Sequence, residues 1–275
     1  MADFDTGTDT LLCSLGEGVA TITLNRPEKR NALSDELTPA LRETLLVLDT
    51  HPDVRCVLLT GAGNAFCAGG DVSGMGSGRS RDSAQPRPSS QDAATNLVHR
   101  QETLTLRLHR LSKPTIAALP GAAAGAGMSI ALACDIRIAA RSAFITSAFA
   151  NIGLSGDYGG SWFLTRIVGS AKAKELYFTA QRVYGEEGLS LGLFNRVVDD
   201  DQLQDQAQEL AQQIANGPPI AIRYMKENLN RAIDCDLTTS LQIEADRMVR
   251  CTQTADHKEA VKAFLEKRPP QFQGQ

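Results

Sequence analysis

The feature that most constrains this chain is a pair of segments rich in glycine and alanine, residues 66–71 (FCAGGD) and residues 120–127 (PGAAAGAG). Each follows an apolar run typical of a buried strand, residues 54–60 and 115–119, and the second leads into a predicted helix over residues 128–134. Turns of small residues leave backbone N–H groups accessible, and the first N–H groups of a helix have no partner inside it. Two such turns held together predict a pocket that binds one carbonyl oxygen and stabilises negative charge on it. Either segment alone is better explained by tight turns and close packing.

The composition indicates an ordinary soluble globular protein. The chain has 275 residues, of which 42% are hydrophobic and 22% charged, so it can form one large domain or one domain with a small appendage. Its formal net charge of −4 gives no electrostatic reason to expect nucleic acid or an anionic membrane as a partner. An anionic ligand would therefore need a local basic patch.

Cysteine and histidine usage also limits the function. The six cysteines contain no C-x-x-C pair, which favours free thiols in a reducing compartment. The four histidines have no metal-ligand spacing, so we expect no metal site. The first residues are acidic and polar, unlike a targeting peptide, and we expect a cytoplasmic protein.

The first half of the chain alternates between strand and helix patterns, which predicts an α/β fold. Residues 19–24 alternate as in a strand, and residues 35–48 carry leucines at helical spacing after Ser34, the predicted N-cap. Residues 114–134 are uncharged and long enough to resemble a membrane span. Their prolines, glycines and alanines favour a strand, a turn and a helix instead.

The second half is predicted to be mostly helical after a variable loop. Residues 74–91 are rich in Gly, Ser, Arg and Pro, so we expect a mobile surface loop there, followed by a helix over residues 92–111. Beyond Phe163 the predicted helices are residues 171–179, 186–191, 201–216, 219–234, 237–250 and 255–266. We expect a core over residues 1–198 and a helical region over residues 199–275.

Six segments, spread from residue 24 to residue 270, resemble a known family. They are residues 24–33 (LNRPEKRNAL), 64–71 (NAFCAGGD), 113–118 (KPTIAA), 133–139 (ACDIRIA), 192–198 (GLFNRVV) and 263–270 (AFLEKRPP). In this order they are similar to the enoyl-CoA hydratase/isomerase family, also called the crotonase superfamily. The resemblance implies a ββα superhelix whose helical tail forms a homotrimer or a dimer of trimers. It implies an acyl-CoA thioester as substrate, and no cofactor other than the CoA of that substrate.

The resemblance also assigns a catalytic centre that departs from the hydratases of the family. It places two oxyanion-hole donors at the backbone N–H groups of Gly70 and Ala126, in agreement with the small-residue turns. The hydratases use two glutamates to activate water, and the matching positions here are Ser129 and Phe149. Neither residue transfers a proton as a carboxylate does, so the hydratase pair is absent.

A carboxylate follows shortly afterwards, at Asp157. Its position matches the catalytic aspartate of ring-opened phenylacetyl-CoA isomerases and the nucleophilic aspartate of 4-chlorobenzoyl-CoA dehalogenase. The alternative is that Asp157 caps a helix beginning near Tyr158. We favour catalysis, because a carboxylate here would face the thioester α-carbon. The weaker site candidates are Ser129, Ser147, Ser161, Tyr158, Glu102 and His99, while Asp135 is interpreted as structural.

For the CoA moiety, the resemblance implies contacts with the backbone at Ala68 and with Lys29 and Arg30. Phe264 and Lys267 match positions near the adenine and phosphates, often supplied by a neighbouring subunit.

Three functions stay open at this stage. The favoured function is isomerisation of a 3-enoyl-CoA to a 2-enoyl-CoA with Asp157 as the single acid–base group, because one base suffices for that reaction. The alternatives are hydration of a 2-enoyl-CoA and a non-catalytic CoA-binding or scaffold protein, with dehalogenation less favoured.

Overall fold

The structure is a computed structural model that describes residues 2–71 and 89–275. Its strands are β1 (Ala2–Phe4), β2 (Leu11–Gly16), β3 (Val19–Leu24), β4 (Cys56–Gly61), β5 (Ala65–Cys67), β6 (Thr115–Leu119), β7 (Ala122–Ala124), β8 (Ile136–Ala140), β9 (Phe144–Thr146), β10 (Val183–Tyr184) and β11 (Arg196–Val198). Its helices are α1 (Leu37–Thr50), α2 (Ser90–Gln101), α3 (Arg107–Arg110), α4 (Ala126–Ala133), α5 (Gly160–Thr179), α6 (Gly185–Ser190), α7 (Leu203–Ala215), α8 (Pro219–Ala232), α9 (Leu237–Thr252) and α10 (Ala255–Glu266).

The strands form two sheets, and the predicted α/β class is confirmed. The seven-stranded sheet has the order β1-β2-β3-β4-β6-β8-β11, in which β3, β4, β6, β8 and β11 run parallel. Strand β4 is buried along its whole length because helices cover the sheet. Helix α1 turns Leu41, Leu45 and Leu48 into the core, where each is fully buried. These leucines join the same buried core as the apolar residues of the parallel strands.

The four-stranded sheet, of order β10-β9-β7-β5, brings the two small-residue segments together. Strands β5 and β7 are parallel neighbours, with Ala65 opposite Ala122 and Cys67 opposite Ala123. Parallel neighbours end at the same edge of a sheet. The turns that follow them therefore lie side by side although they are far apart in the sequence.

The predicted elements agree with the structure at most positions and differ at a few boundaries. The apolar stretch over residues 114–134 is indeed strand, turn and helix, as β6, β7 and α4. Helix α1 begins at Leu37 rather than at residue 35, and its N-cap is Glu36 rather than the predicted Ser34, although Ser34 Oγ accepts a hydrogen bond from the Leu37 nitrogen at 3.0 Å. Of the predicted loop over residues 74–91, residues 74–88 lie outside the described residues. Residues 90 and 91 are not loop but belong to α2, which Ser89 caps in a reciprocal capping box with Asp92.

The helical tail differs from its prediction mainly in α5 and in two added strands. Helix α5 begins before residue 171 and is interrupted at Gly169, whose φ and ψ are not helical. Strands β10 and β11 were not predicted, and β11 extends the main sheet beside β8. Helix α7 packs its buried Leu203, Ala207 and Ala211 against that sheet. The division at residue 198 stays a prediction. Within the described ranges, no helix is both long and apolar enough to cross a bilayer.

Candidate active site

The two small-residue turns touch through their backbones. A Cβ on Gly69, whose φ is +92°, would lie 2.8 Å from the Ala124 carbonyl oxygen. A Cβ on Gly127 would lie 2.1 Å from the Cys67 carbonyl oxygen. Neither contact leaves room for a side chain, so glycine is required at both positions for the turns to approach this closely.

The two predicted oxyanion-hole donors lie beside this contact. Leu33 N donates to Gly69 O at 2.8 Å, and Asp71 N donates to Leu33 O at 3.1 Å. Since the residues on either side bond to Leu33, the N–H of Gly70 points away from it. Ala126 is the first residue of α4, where backbone N–H groups have no partner inside the helix.

Gly70, Ala126 and Asp157 line one cavity of about 790 Å³. The structure therefore brings together the three residues predicted to be catalytic. The other residues that line this cavity are Leu33, Ser34, Asp35, Thr38, Pro39, Arg42, Asp71, Leu97, Arg100 and Tyr158. Asp71 forms an ion pair with Arg26 at 3.2 Å and Asp35 is exposed, whereas Asp157 is half-buried and forms no ion pair with the described residues.

Asp157 lies in a loop of unusual backbone conformation. Gly156, Tyr158 and Gly159 all have positive φ, at +112°, +51° and +74°. For Tyr158 this conformation is costly, and such strain is often found at functional sites. Two hydrogen bonds support the loop: Tyr158 N donates to Gln101 Oε1 at 2.8 Å, and Ser129 Oγ donates to the Asp157 carbonyl oxygen at 3.0 Å.

The helix-capping interpretation of Asp157 is wrong. Helix α5 begins at Gly160, and its N-cap residue, Gly159, makes no side-chain capping hydrogen bond. The Oδ1 atom of Asp157 is buried and has no hydrogen-bond partner among the described residues. The carboxylate is therefore available for chemistry rather than committed to the helix.

Burial raises the pKa of the Asp157 carboxyl from 3.8 to about 6. At that value both protonation states are well populated near neutral pH, as a group that takes and returns a proton requires. The neighbouring Tyr158 also has a raised pKa, first because of burial and then because of the Asp157 carboxylate. Arg100 and Arg42 oppose that rise.

Ser129 and Phe149 do not line the cavity with Asp157. Ser129 is fully buried on α4, and Phe149 stacks on Tyr177 behind the Asp157 loop with ring centroids 6.1 Å apart. Both residues pack against the Asp157 loop on the side away from the cavity, Ser129 at the Asp157 carbonyl oxygen and Phe149 beside Gly156. Their contact with substrate stays a prediction. Ser147 is also buried and donates to the Leu176 carbonyl oxygen at 3.2 Å, whereas Ser161 is exposed.

The remaining polar candidates lie outside the cavity. His99 and Glu102 are exposed, and His99 lines a separate surface cleft. Asp135 accepts hydrogen bonds from the Thr115 nitrogen and hydroxyl at 2.8 and 2.9 Å and pairs with Lys226 at 2.8 Å. Asp135 therefore ties α8 to the main sheet, in agreement with its structural interpretation.

The predicted CoA contacts fall in two places. Lys29 and Arg30 are exposed and lie beside the first turn, since Ala68 N donates to the Arg30 carbonyl oxygen at 3.0 Å. Phe264 and Lys267 are exposed at the end of α10 and do not line the cavity within this chain. All five roles stay predictions.

Sequence reasoning missed Arg42, Arg100 and Tyr177. The two arginines lie on predicted helices, where a charged residue is normally expected on the solvent-exposed face. Tyr177 falls within a predicted helix, and the only hint of its position is the group of glycines around Asp157, which leaves space for a bulky neighbour.

Comparisons with known proteins agree with this geometry. The sequence profile described as enoyl-CoA hydratase/isomerase matches residues 14–275. The chain is 40% identical over 264 residues to the 1,2-epoxyphenylacetyl-CoA isomerase of Escherichia coli, covering 96% of this chain and 98% of that protein. It is 37% identical over 251 residues to the short-chain-enoyl-CoA hydratase of Clostridium acetobutylicum, covering 91% and 92%. The crystal structure of an enoyl-CoA hydratase from Bacillus anthracis superposes with a TM-score of 0.86 at 32% identity, covering 97% of this chain and 100% of that one.

Proposed function

The chain belongs to the enoyl-CoA hydratase/isomerase family and is an acyl-CoA enzyme, and from this premise we propose that it moves the double bond of an enoyl-CoA from position 3 to position 2. The observation that carries the proposal is the position of Asp157. It lines the cavity of Gly70 and Ala126, and burial raises its pKa to about 6. The positions of the two hydratase glutamates hold Ser129 and Phe149 instead.

In the proposed reaction the backbone stabilises charge and Asp157 moves the proton. The N–H groups of Gly70 and Ala126 bind the thioester oxygen, which makes the protons on C2 more acidic. Asp157 removes one of them, the electrons spread over the dienolate, and the same carboxyl returns the proton to C4. The new double bond then joins C2 and C3. Each oxyanion-hole donor contributes about 3 kcal/mol to lowering the barrier.

Hydration is the second candidate function. It is supported by the hydratase named above, at 37% identity. Against it stands Ser129, which is fully buried, does not line the cavity and uses its one proton on the Asp157 carbonyl oxygen. A non-catalytic CoA-binding protein is disfavoured because the three residues of the centre face a single cavity.

The test is to give the purified protein a 3-enoyl-CoA and, separately, a 2-enoyl-CoA. Isomerisation moves the double bond without changing mass, whereas hydration adds one water, so NMR and mass spectrometry together distinguish the two. Asp157→Asn keeps the size of the side chain but removes its proton transfer, and we expect turnover to fall by about two or more powers of ten. The matched control is Asp53→Asn, on the exposed turn after α1. Full activity in Asp157→Asn would refute the mechanism, and hydration without isomerisation would refute the reaction.

We also propose that the chain assembles into a homotrimer or a dimer of trimers. Helices α8, α9 and α10 expose large apolar side chains, among them Leu229, Leu237, Met248 and Phe264. Such a surface is costly in a monomer and is typical of an interface. Light scattering at micromolar concentration tests this proposal, and a stable monomer would contradict it.

A further inference from the structure

The peptide group between Asp157 and Tyr158 is held on both sides by side chains from two other elements. Ser129 Oγ, on α4, donates to the Asp157 carbonyl oxygen at 3.0 Å. The Tyr158 nitrogen donates to Gln101 Oε1, at the end of α2, at 2.8 Å. The C=O and N–H groups of a trans peptide point in opposite directions, so Ser129 and Gln101 hold this peptide from opposite sides.

The backbone at this peptide adopts a turn that tyrosine disfavours. Gly160 N donates to the Asp157 carbonyl oxygen at 3.2 Å and closes a four-residue turn. Its two central residues, Tyr158 and Gly159, have φ of +51° and +74°. Turns with positive φ at both central positions are normally built from Gly, Asn or Asp, and a side chain as bulky as tyrosine makes them costly. Such a conformation persists only where its surroundings hold it, and the two side-chain hydrogen bonds to the first peptide of the turn do so.

Helix α4 links this peptide to the proposed oxyanion hole. Ala126, one of the two proposed donors, is the first residue of α4, and Ser129 follows nearly one helical turn later. Ser129 is fully buried, and a Cβ on Gly160 would lie 2.5 Å from its Oγ, so the turn packs directly on this helix. One short helix therefore sets the position of the Asp157 backbone relative to the Ala126 N–H.

Helix α2 links the same peptide to another part of the cavity wall. Leu97 and Arg100 on α2 line the cavity, and Gln101 is the last residue of this helix. A π-helical segment, Glu102–Leu106, follows directly. Such segments are rare and are frequent at functional sites. The helix that lines the cavity therefore also holds the Asp157 loop.

We propose that Gln101 and Ser129 are positioning residues for Asp157, which fix the peptide that follows it and thereby the direction in which its carboxylate enters the cavity. This inference rests on the proposed function of Asp157. In this role both residues act through the backbone of Asp157. The carboxylate must reach both C2 and C4, so a displaced backbone slows proton transfer more than it weakens binding. The position that holds a glutamate in the hydratases then serves the aspartate instead.

The experiment measures kcat and KM of Gln101→Met and Ser129→Ala, alone and combined with Asp157→Asn, on whichever enoyl-CoA the protein turns over. Gln101→Met keeps the length of the side chain but removes the acceptor, and Ser129→Ala removes only the hydroxyl. Each should lower kcat about tenfold to a hundredfold and change KM less. In the Asp157→Asn background each should leave the residual kcat unchanged, because no proton transfer by Asp157 remains to be misaligned.

Amide hydrogen exchange provides a measurement that needs no substrate. In protein labelled with ¹⁵N at its four tyrosines, the Tyr158 signal is assigned by its loss in Tyr158→Phe. Gln101→Met should speed exchange of this amide by about tenfold, because its acceptor is lost. The matched controls are Gln206→Met, at a half-buried glutamine on α7, and Thr60→Val, which removes a buried hydroxyl that donates to the Ala118 carbonyl oxygen at 3.0 Å. Both controls should keep the wild-type kcat.

Gln101→Glu is the conservative variant, since it keeps an acceptor oxygen at the same reach. Well above pH 6, where Asp157 is ionised, it should retain most of the wild-type kcat. A loss equal to that of Gln101→Met would overturn the inference, because the acceptor oxygen would then not be what holds the turn. Should Ser129→Ala fail to fold, the two Gln101 variants decide the question alone.

Three further results would also overturn the inference: an unchanged kcat in folded Gln101→Met, an unchanged exchange rate of its Tyr158 amide, or a loss of kcat that persists in full in the Asp157→Asn background. Full activity in Asp157→Asn would refute the proposed function and this inference with it. An unchanged kcat in Gln101→Met beside an inactive Asp157→Asn would refute the inference alone.

Discussion

Substitution of Gly127 tests whether the contact between the two turns builds the oxyanion hole. In Gly127→Ala the new Cβ would lie 2.1 Å from the Cys67 carbonyl oxygen and 2.8 Å from both the Cys67 carbonyl carbon and Cβ. A close carbon–oxygen contact is about 3.3 Å long, so the turns must separate by about 1 Å. The obstacle is largely backbone and cannot rotate away. Overpacking of this kind costs about 1–3 kcal/mol of stability.

The displacement should affect the reaction more than it affects folding. Ala126, the residue before Gly127, supplies one proposed donor, and a misplacement of about 1 Å costs a reaction about 100-fold in rate. We therefore expect Gly127→Ala to fold, to lose about 1–3 kcal/mol in urea denaturation and to lose about two powers of ten in kcat.

Gly70→Ala is the contrasting variant. A Cβ at that position meets nothing within 4 Å, and the variant keeps its backbone N–H. Its stability should stay within about 0.5 kcal/mol of the wild type. If Gly127→Ala matches the wild type in both stability and rate, the turns are not held by this contact and the reasoning fails.

Three further predictions follow from the site and its supports. The rate should rise with pH through about 6 as Asp157 loses its proton. Because the pKa of Asp157 in the folded protein lies above 3.8, the wild type should lose stability relative to Asp157→Asn as pH rises from 3.8 to about 6. If the melting temperatures of the two proteins change in parallel over this pH range, this prediction is contradicted. Lys226→Met leaves Asp135 without its cation and should cost about 3 kcal/mol in denaturation, with Lys258→Met on the surface as control; an unchanged midpoint would show that the pair contributes nothing. Lys29→Ala should weaken binding of CoA thioesters in calorimetry, and equal affinity would remove Lys29 from the CoA site.

The sequence predicts the frame of the site well because that frame depends on local patterns. Strand β6 begins and ends where its apolar run does. The small residues before α4 predict a tight turn. Short strands such as β9 and β10 escape prediction because they depend on partners distant in the chain. The position of Tyr177 beside the Asp157 loop could not be predicted for the same reason, since it depends on which loop packs over α5. Its own neighbours in the sequence read only as helix.

The pairing of β5 with β7 has a consequence for how this centre tolerates mutation. Its two proposed donors are peptide groups, which every residue except proline carries, so most single substitutions leave them chemically intact. What a substitution can remove is their alignment. We therefore expect changes at the glycines of the contact to inactivate by misaligning the donors, whereas replacing Asp157 inactivates by removing proton transfer and leaves the two turns in place. The alignment of the proposed donors and the proton transfer by Asp157 can therefore be lost separately.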